Sequence, residues 1–200
     1  MNFWTCWSRF VILKANVRLF PIPISRPPTE LVLALTSRIR GLLPKDPELA
    51  AVLTESNFLL ASHVDTPLAW GLAHQWKAHG FMNTKKSLEA KPLYQKAREF
   101  FVEAGADGEL GRSLCAESYN LTYLSEYERA LELAEWAQTL LEEAGDSAYL
   151  PRVHVARANA FIRLNRFGEA LDQYDQALER LAGSDDFFPL HRWNSTVPPC

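Results

Sequence analysis

A repeat of 40 residues constrains the fold of this chain more than any other feature. Ala90, Ala130 and Ala170 fall at that offset, as do Ala97, Ala137 and Ala177, with Tyr94, Ala134 and Tyr174 between them. The match continues outside these triplets. Gly105 aligns with Gly145, Leu110 with Leu150, Arg112 with Arg152, Ala116 with Ala156, Leu124 with Leu164, and Tyr127 with Phe167. A fixed period of this size means one supersecondary unit stacked on copies of itself.

The spacing within each copy specifies the unit. A small residue, an aromatic four positions on and a second small residue three positions later lie on one face of a helix. The small residues let a neighbouring helix come close, and the larger one fills the space beside them. Before each such segment runs another with its own apolar face, Leu114, Ser118, Leu121 and Leu124 in one copy and Ala158, Phe161 and Leu164 in the next. Short polar turns, Ser125-Glu126 and Asn165-Arg166, join the two. Each unit is therefore a helical hairpin that cannot bury its apolar face alone. Upstream, Leu31, Leu35, Ile39 and Leu42 recur at helical spacing and end at Pro44. Asp46 before Pro47, and Asp65 or Thr66 before Pro67, read as capped helix starts. No alternating β-branched run marks a strand. The expected fold is an all-α, right-handed superhelical array of antiparallel helix pairs. The expected division is a leader over 1–28, a helical pair over 29–66, three repeats at about 67–104, 110–144 and 150–182, and an irregular tail over 183–200.

This pattern resembles the tetratricopeptide repeat over residues 67–182. Tyr127, Ala130, Ala134 and Ala137 match its second helix, and Phe167, Ala170, Tyr174 and Ala177 match it better. The first copy, with Trp76, Gly80, Ala90, Tyr94 and Ala97, fits only if about five residues are inserted around Met82–Lys86. It also carries Pro92 inside its second helix. The period and the stretch from Leu164 to Leu171 also resemble the bacterial arrays that precede a CHAT domain, a caspase-like protease module. The catalytic His and Cys of that family lie in the C-terminal module, and residues 183–200 do not match it. His191 and Cys200 therefore receive no catalytic role.

Composition narrows the function. Net charge is −3 with a pI of about 6.0, which does not mark a nucleic-acid binder. No apolar run reaches the ~18 residues of a membrane span. The three cysteines, Cys6, Cys115 and Cys200, are too few and too scattered for a disulfide framework or a zinc site, so a reducing, cytoplasmic setting is expected. Residues 1–29 hold Arg9, Lys14, Arg18 and Arg26 and no acid. Lys14 cuts their apolar stretch too short for a secretion signal, and Pro21, Pro23, Pro27 and Pro28 end it. No phosphate loop, nucleophile elbow or His-Glu-x-x-His motif occurs. His74 and His79 fall on different helix faces, and Cys115 reads as a small buried thiol. The chain is accordingly expected to be no enzyme and to need no metal or cofactor.

What the resemblance implies is a concave groove lined by the first helix of each repeat. Carried over, its positions are Trp70, His74 and Lys77, then Arg112, Tyr119 and Tyr123, then Arg152, Asn159 and Arg163. Lys77, Arg112, Arg152 and Arg163 would form an acid-free strip in an otherwise acidic chain, suited to an acidic peptide or helical protein partner. Nucleic acid and membrane are not expected partners. The tail, with no helical period, gives the last repeat no capping helix, so self-association through helix 169–181 is a further expectation.

Overall fold

The computed structural model describes residues 28–182, and every regular element among them is helical. In order these are α1 (Pro28–Leu42), α2 (Pro47–Val64), α3 (Pro67–Asn83), α4 (Ser87–Ala104), α5 (Asp107–Tyr123), α6 (Tyr127–Glu143), a 3-10 turn (Ser147–Tyr149), α7 (Leu150–Arg163) and α8 (Phe167–Leu181). The expected irregular leader and tail lie outside the described residues. Two caps work as the sequence implies. The Asp46 carboxylate accepts the Leu49 N–H at 3.0 Å and Thr66 Oγ1 accepts the Ala69 N–H at 3.4 Å, each followed by proline at the first helical position.

The turns keep strict time. Positive φ occurs at Asp65 (48°), Lys85 (60°), Gly105 (60°), Ser125 (61°), Gly145 (70°) and Asn165 (59°), one residue in every 20. A left-handed residue after a helix lets the next N–H reach back to the last turn. Lys86, Ala106, Glu126, Asp146 and Arg166 do so, donating to Phe81, Phe101, Leu121, Leu141 and Phe161 carbonyls at 2.9–3.0 Å. Two of the six positions are glycine and two, Asp65 and Asn165, are residue types that adopt this conformation readily; at Lys85 and Ser125 it costs an L-residue roughly 1–2 kcal/mol.

This timing corrects the first copy. Lys85 stands 40 residues before Ser125, and α3 and α5 are both 17 residues long. No insertion around Met82–Lys86 exists. Trp76 therefore corresponds to Ala116 and Ala156, and Ala78 to Ser118 and Ala158. The bulk of Trp76 and the glycine four positions later imitated the repeat's large and small positions two residues out of register. Pro92 does lie within α4, on its exposed side.

Helices pack in sequence, most extensively as the pairs α3–α4, α5–α6 and α7–α8. Their closest approach lies at the small residues: Ser118 Oγ donates to the Ala130 carbonyl at 2.7 Å, and Ala90 and Ala130 are fully buried. Two glycines deepen it. A Cβ on Gly71 would stand 2.7 Å from the Phe101 ring, and one on Gly111 2.8 Å from Leu141 Cγ. The pair α1–α2 sits ahead of these three, with Val32, Leu35, Ile39, Leu53 and Leu60 in the same core as Leu72, Phe101, Leu114 and Leu141. One charge is buried inside the array. Glu117 on α5 is 2% exposed, faces Arg98 on α4 at 3.6 Å, and is held above the usual carboxylate range by burial, against the pull of Arg98, Arg129 and Lys91.

Candidate binding groove

The first helices of the pairs, α1, α3, α5 and α7, converge on one region. Arg40 of α1 lies over the Trp76 ring of α3, 5.4 Å from its centroid, and Trp76 meets His79 edge to face at 4.8 Å. The charges of Arg40 and of Arg152 on α7 both act on His79, whose pKa falls to about 4, first through burial and then through these two cations. The ring is thus neutral near pH 7, and its Nδ1 shares a hydrogen bond with the Tyr94 hydroxyl at 2.8 Å. On the facing side, Arg152 lies over the Tyr149 ring at 4.7 Å and Arg112 at 5.7 Å. Cys115 is buried among these groups and its thiol is pushed up to about 12, so it stays protonated.

The floor of the groove alternates by size. In the first repeat Tyr94 reaches from α4 to His79, and in the third Tyr174 reaches from α8 and donates to Asn159 Oδ1 at 2.9 Å. In the middle repeat the second helix offers only Ala134, and the first helix carries the bulk as Tyr119, hydrogen-bonded to Tyr123 at 3.3 Å. Volume lost on one helix is recovered on its partner at the same place.

The expected groove residues divide accordingly. Arg112, Tyr119, Tyr123, Arg152 and Asn159 lie on the α5 and α7 faces just described, and Arg163 is exposed at the end of α7. Trp70, His74 and Lys77 lie elsewhere, between α2 and α4. Trp70 and His74 pack on Phe58 at 6.2 and 5.0 Å and on Phe100 at 6.2 and 5.4 Å. Burial lowers the pKa of His74, helped by Lys96 and Lys77. Trp70 Nε1 donates to Asp65 at 3.1 Å, and Lys77 pairs with Glu55 at 3.0 Å. At the gap-free 40-residue offset the first-repeat counterparts of Arg112, Tyr119 and Tyr123 are Leu72, His79 and Asn83, not these three. The acid-free strip is corrected with it. Lys77 leaves the groove, and Arg112 is bound by Asp146 at 2.7 Å and Glu109 at 3.1 Å. Missed by the sequence reading were Arg40, Trp76, His79 and Tyr149. A gap-free 40-residue offset would have found His79, opposite Tyr119 and Asn159.

Among the described residues no cluster of three His, Cys, Asp or Glu could hold a metal ion, and no helix is long and apolar enough to cross a membrane. Timed turns, small-residue seams and a groove lined by first helices define a tetratricopeptide-like array, an all-α solenoid of helix pairs. No family model matches the sequence, and no curated protein does. Among solved structures the chain is similar to the Signal Transduction ATPase with Numerous Domains (STAND) protein with a tetratricopeptide repeat sensor from Pyrococcus horikoshii. The TM-score is 0.63 at 13% identity, over 88% of this chain and 29% of that one. This chain therefore spans less than a third of that neighbour's length.

Proposed function

We propose that the array is a non-catalytic protein-interaction module, and that its groove holds an acidic peptide or the acidic face of a helix. The observation that carries this reading is the convergence of Arg40 and Arg152 on one aromatic-lined region with Trp76, His79 and Tyr149. Arginine, tyrosine and tryptophan concentrate binding energy because they bury large rigid surfaces and still offer polar contacts. Tyr119, Tyr123 and Asn159 line the same path, and Arg163 extends its positive end. The test is fluorescence anisotropy with labelled peptides that combine Glu or Asp with one or two aromatic residues. Arg40→Glu with Arg152→Glu should weaken binding about tenfold or more, most at low salt. Affinity indifferent to both changes would place the site elsewhere.

The same array would serve as the sensor segment of a larger signalling protein, in keeping with the tetratricopeptide repeat sensor of the Pyrococcus neighbour. A CHAT-type protease is one such protein. The DNA on both sides of the reading frame decides this: an ATPase or His…Cys protease module in frame would establish it. Buried Cys115, present as a free thiol, fits a reducing cytoplasmic setting.

A further inference from the structure

Side chains from three other helices converge on His79 of α3. Trp76, three residues before it, meets the imidazole edge to face at 4.8 Å and carries Arg40 of α1 over its own ring at 5.4 Å. Tyr94 of α4 packs on the imidazole with centroids 5.6 Å apart and shares a hydrogen bond with its Nδ1. Arg152 of α7, over the Tyr149 ring, acts on His79 together with Arg40, and both arginines act on Tyr149 as well. The imidazole is half-buried, and its Nε2 makes no hydrogen bond among the described residues. A guanidinium resting over a ring keeps donors available, because it carries five N–H groups in a fixed fork. Arg40 and Arg152 are both placed in this way.

Among the described residues the charges that act on His79 are these two cations, and no carboxylate offsets them there. The acids of the surrounding elements have other partners. Glu117 of α5 faces Arg98, with Arg129 and Lys91 also acting on it, and Glu109 and Asp146 hold Arg112. Glu55 of α2 holds Lys77, and Asp65 accepts from Trp70. Lys96 of α4 acts on His74 instead. Tyr94, Cys115 and Tyr149 are all kept protonated by burial. The empty site is therefore positive around a neutral imidazole, and a proton on His79 would add a third positive charge beside Arg40 and Arg152. An anion seated between the two arginines reverses that balance. An opposite charge within about 4–6 Å favours the protonated ring by roughly 1–3 pH units. The protonated ring donates from both nitrogens, one to the Tyr94 oxygen and the other to the anion.

We propose that Arg40, His79 and Arg152 form one oxyanion site, and that a carboxylate of the acidic partner enters it together with one proton, taken up by His79. This rests on the groove reading above and adds a regulation to it: the partner is held more tightly in mildly acid solution. In the empty site the ring takes its proton only near pH 4. A rise of about 2–2.5 pH units on binding makes the complex about four- to tenfold tighter at pH 5.5 than at pH 7.5. The peptide cannot supply this gain, because its own carboxylates lose charge, and with it affinity, as the pH falls.

Fluorescence anisotropy of the full chain between pH 7.5 and pH 5.5 tests this. The probes are the tightest of the labelled Glu/Asp–aromatic peptides and its analogue with cysteic acid at the acidic positions, whose sulfonate stays ionised throughout. The sulfonate peptide should gain the full factor on acidification. Calorimetry at pH 6 in buffers of different ionisation enthalpy should find about half a proton or more taken up as that peptide binds the unaltered protein. Proton NMR should show the His79 ring signal, assigned by its loss in His79→Gln, titrating near pH 6 with the peptide and well below that without it. His79→Gln should abolish both the gain and the uptake, whatever its affinity at pH 7.5. A peptide that binds through Arg40 and Arg152 without proton uptake, at an affinity flat or falling on acidification, would overturn the proposal and leave the groove reading standing. Uptake that persists in His79→Gln would assign the proton to another group, such as Glu117, and would refute the proposal equally. No binding, or binding indifferent to Arg40→Glu with Arg152→Glu, would remove the groove reading and this one with it.

Discussion

Two glycines on α3 separate backbone propensity from steric room. Gly71 and Gly80 are both inside the helix, and alanine at either gains about 0.8–1 kcal/mol of helix propensity. At Gly80 a Cβ meets nothing within 4 Å, so Gly80→Ala should stabilise the array by that amount. At Gly71 the same Cβ stands 2.7 Å from Cδ1 and Cε1 and 3.1 Å from Cζ of Phe101. Phe101 is fully buried between α3 and α4, so its ring cannot swing into solvent. Overpacking of a close-packed interior costs about 1–3 kcal/mol. After the propensity gain, Gly71→Ala should be destabilising by up to about 2 kcal/mol, and should lie about 1–3 kcal/mol below Gly80→Ala. Urea unfolding followed by far-ultraviolet circular dichroism measures both. The decisive comparison adds Phe101→Leu. If ring contact is the cause, Gly71→Ala should be about 1 kcal/mol or more less costly in that background. Equal effects at Gly71 and Gly80, or a Gly71 cost unchanged by Phe101→Leu, would refute the steric account.

Ala130→Trp should lower the thermal midpoint by several degrees, because Ala130 is fully buried where Ser118 bonds its carbonyl; an unchanged midpoint would contradict the repeat register. Arg98→Met should cost about 3 kcal/mol or more at pH 7 by leaving the Glu117 carboxylate buried and unpaired. Burial already raises the Glu117 pKa, so protonation relieves that cost, and the variant's deficit should shrink toward pH 5. A deficit independent of pH would mean that Glu117 is not the group left stranded. His79 gives the opposite slope. Its pKa is about 4 in the folded chain against about 6.5 unfolded, so the unfolded state gains the proton first. The stability it contributes is complete above pH 6.5 and is lost as pH falls toward 4, by at most about 1.4 kcal/mol per pH unit. His79→Gln should flatten the stability profile between pH 7 and 5, and an unchanged slope would show that the ring titrates normally.

The sequence by itself determined the helical hairpins and their period. Alanines at 90, 130 and 170 and at 97, 137 and 177 are local facts of spacing, and helical pitch alone puts them on one face. Asp46-Pro47 and Thr66-Pro67 marked helix starts because capping is equally local. Gly105 and Gly145 announced two of the left-handed turns. Lys85 and Ser125 announced nothing, since their side chains have no particular liking for that conformation and the array imposes it. That silence hid the register of the first repeat and turned Trp70, His74 and Lys77 toward the groove when they pack between α2 and α4. The groove's charge was hidden for a different reason. Arg112 meets Asp146 across 34 residues and Lys77 meets Glu55 on another helix, so which cations stay unneutralised depends on pairings that only folding makes. The convergence of Arg40 on His79 is of the same kind. Periodicity fixes which face of a helix is apolar, but a rotation of two residues moves a side chain by more than half a turn. Only close packing of neighbouring helices decides which side chains finally share a space.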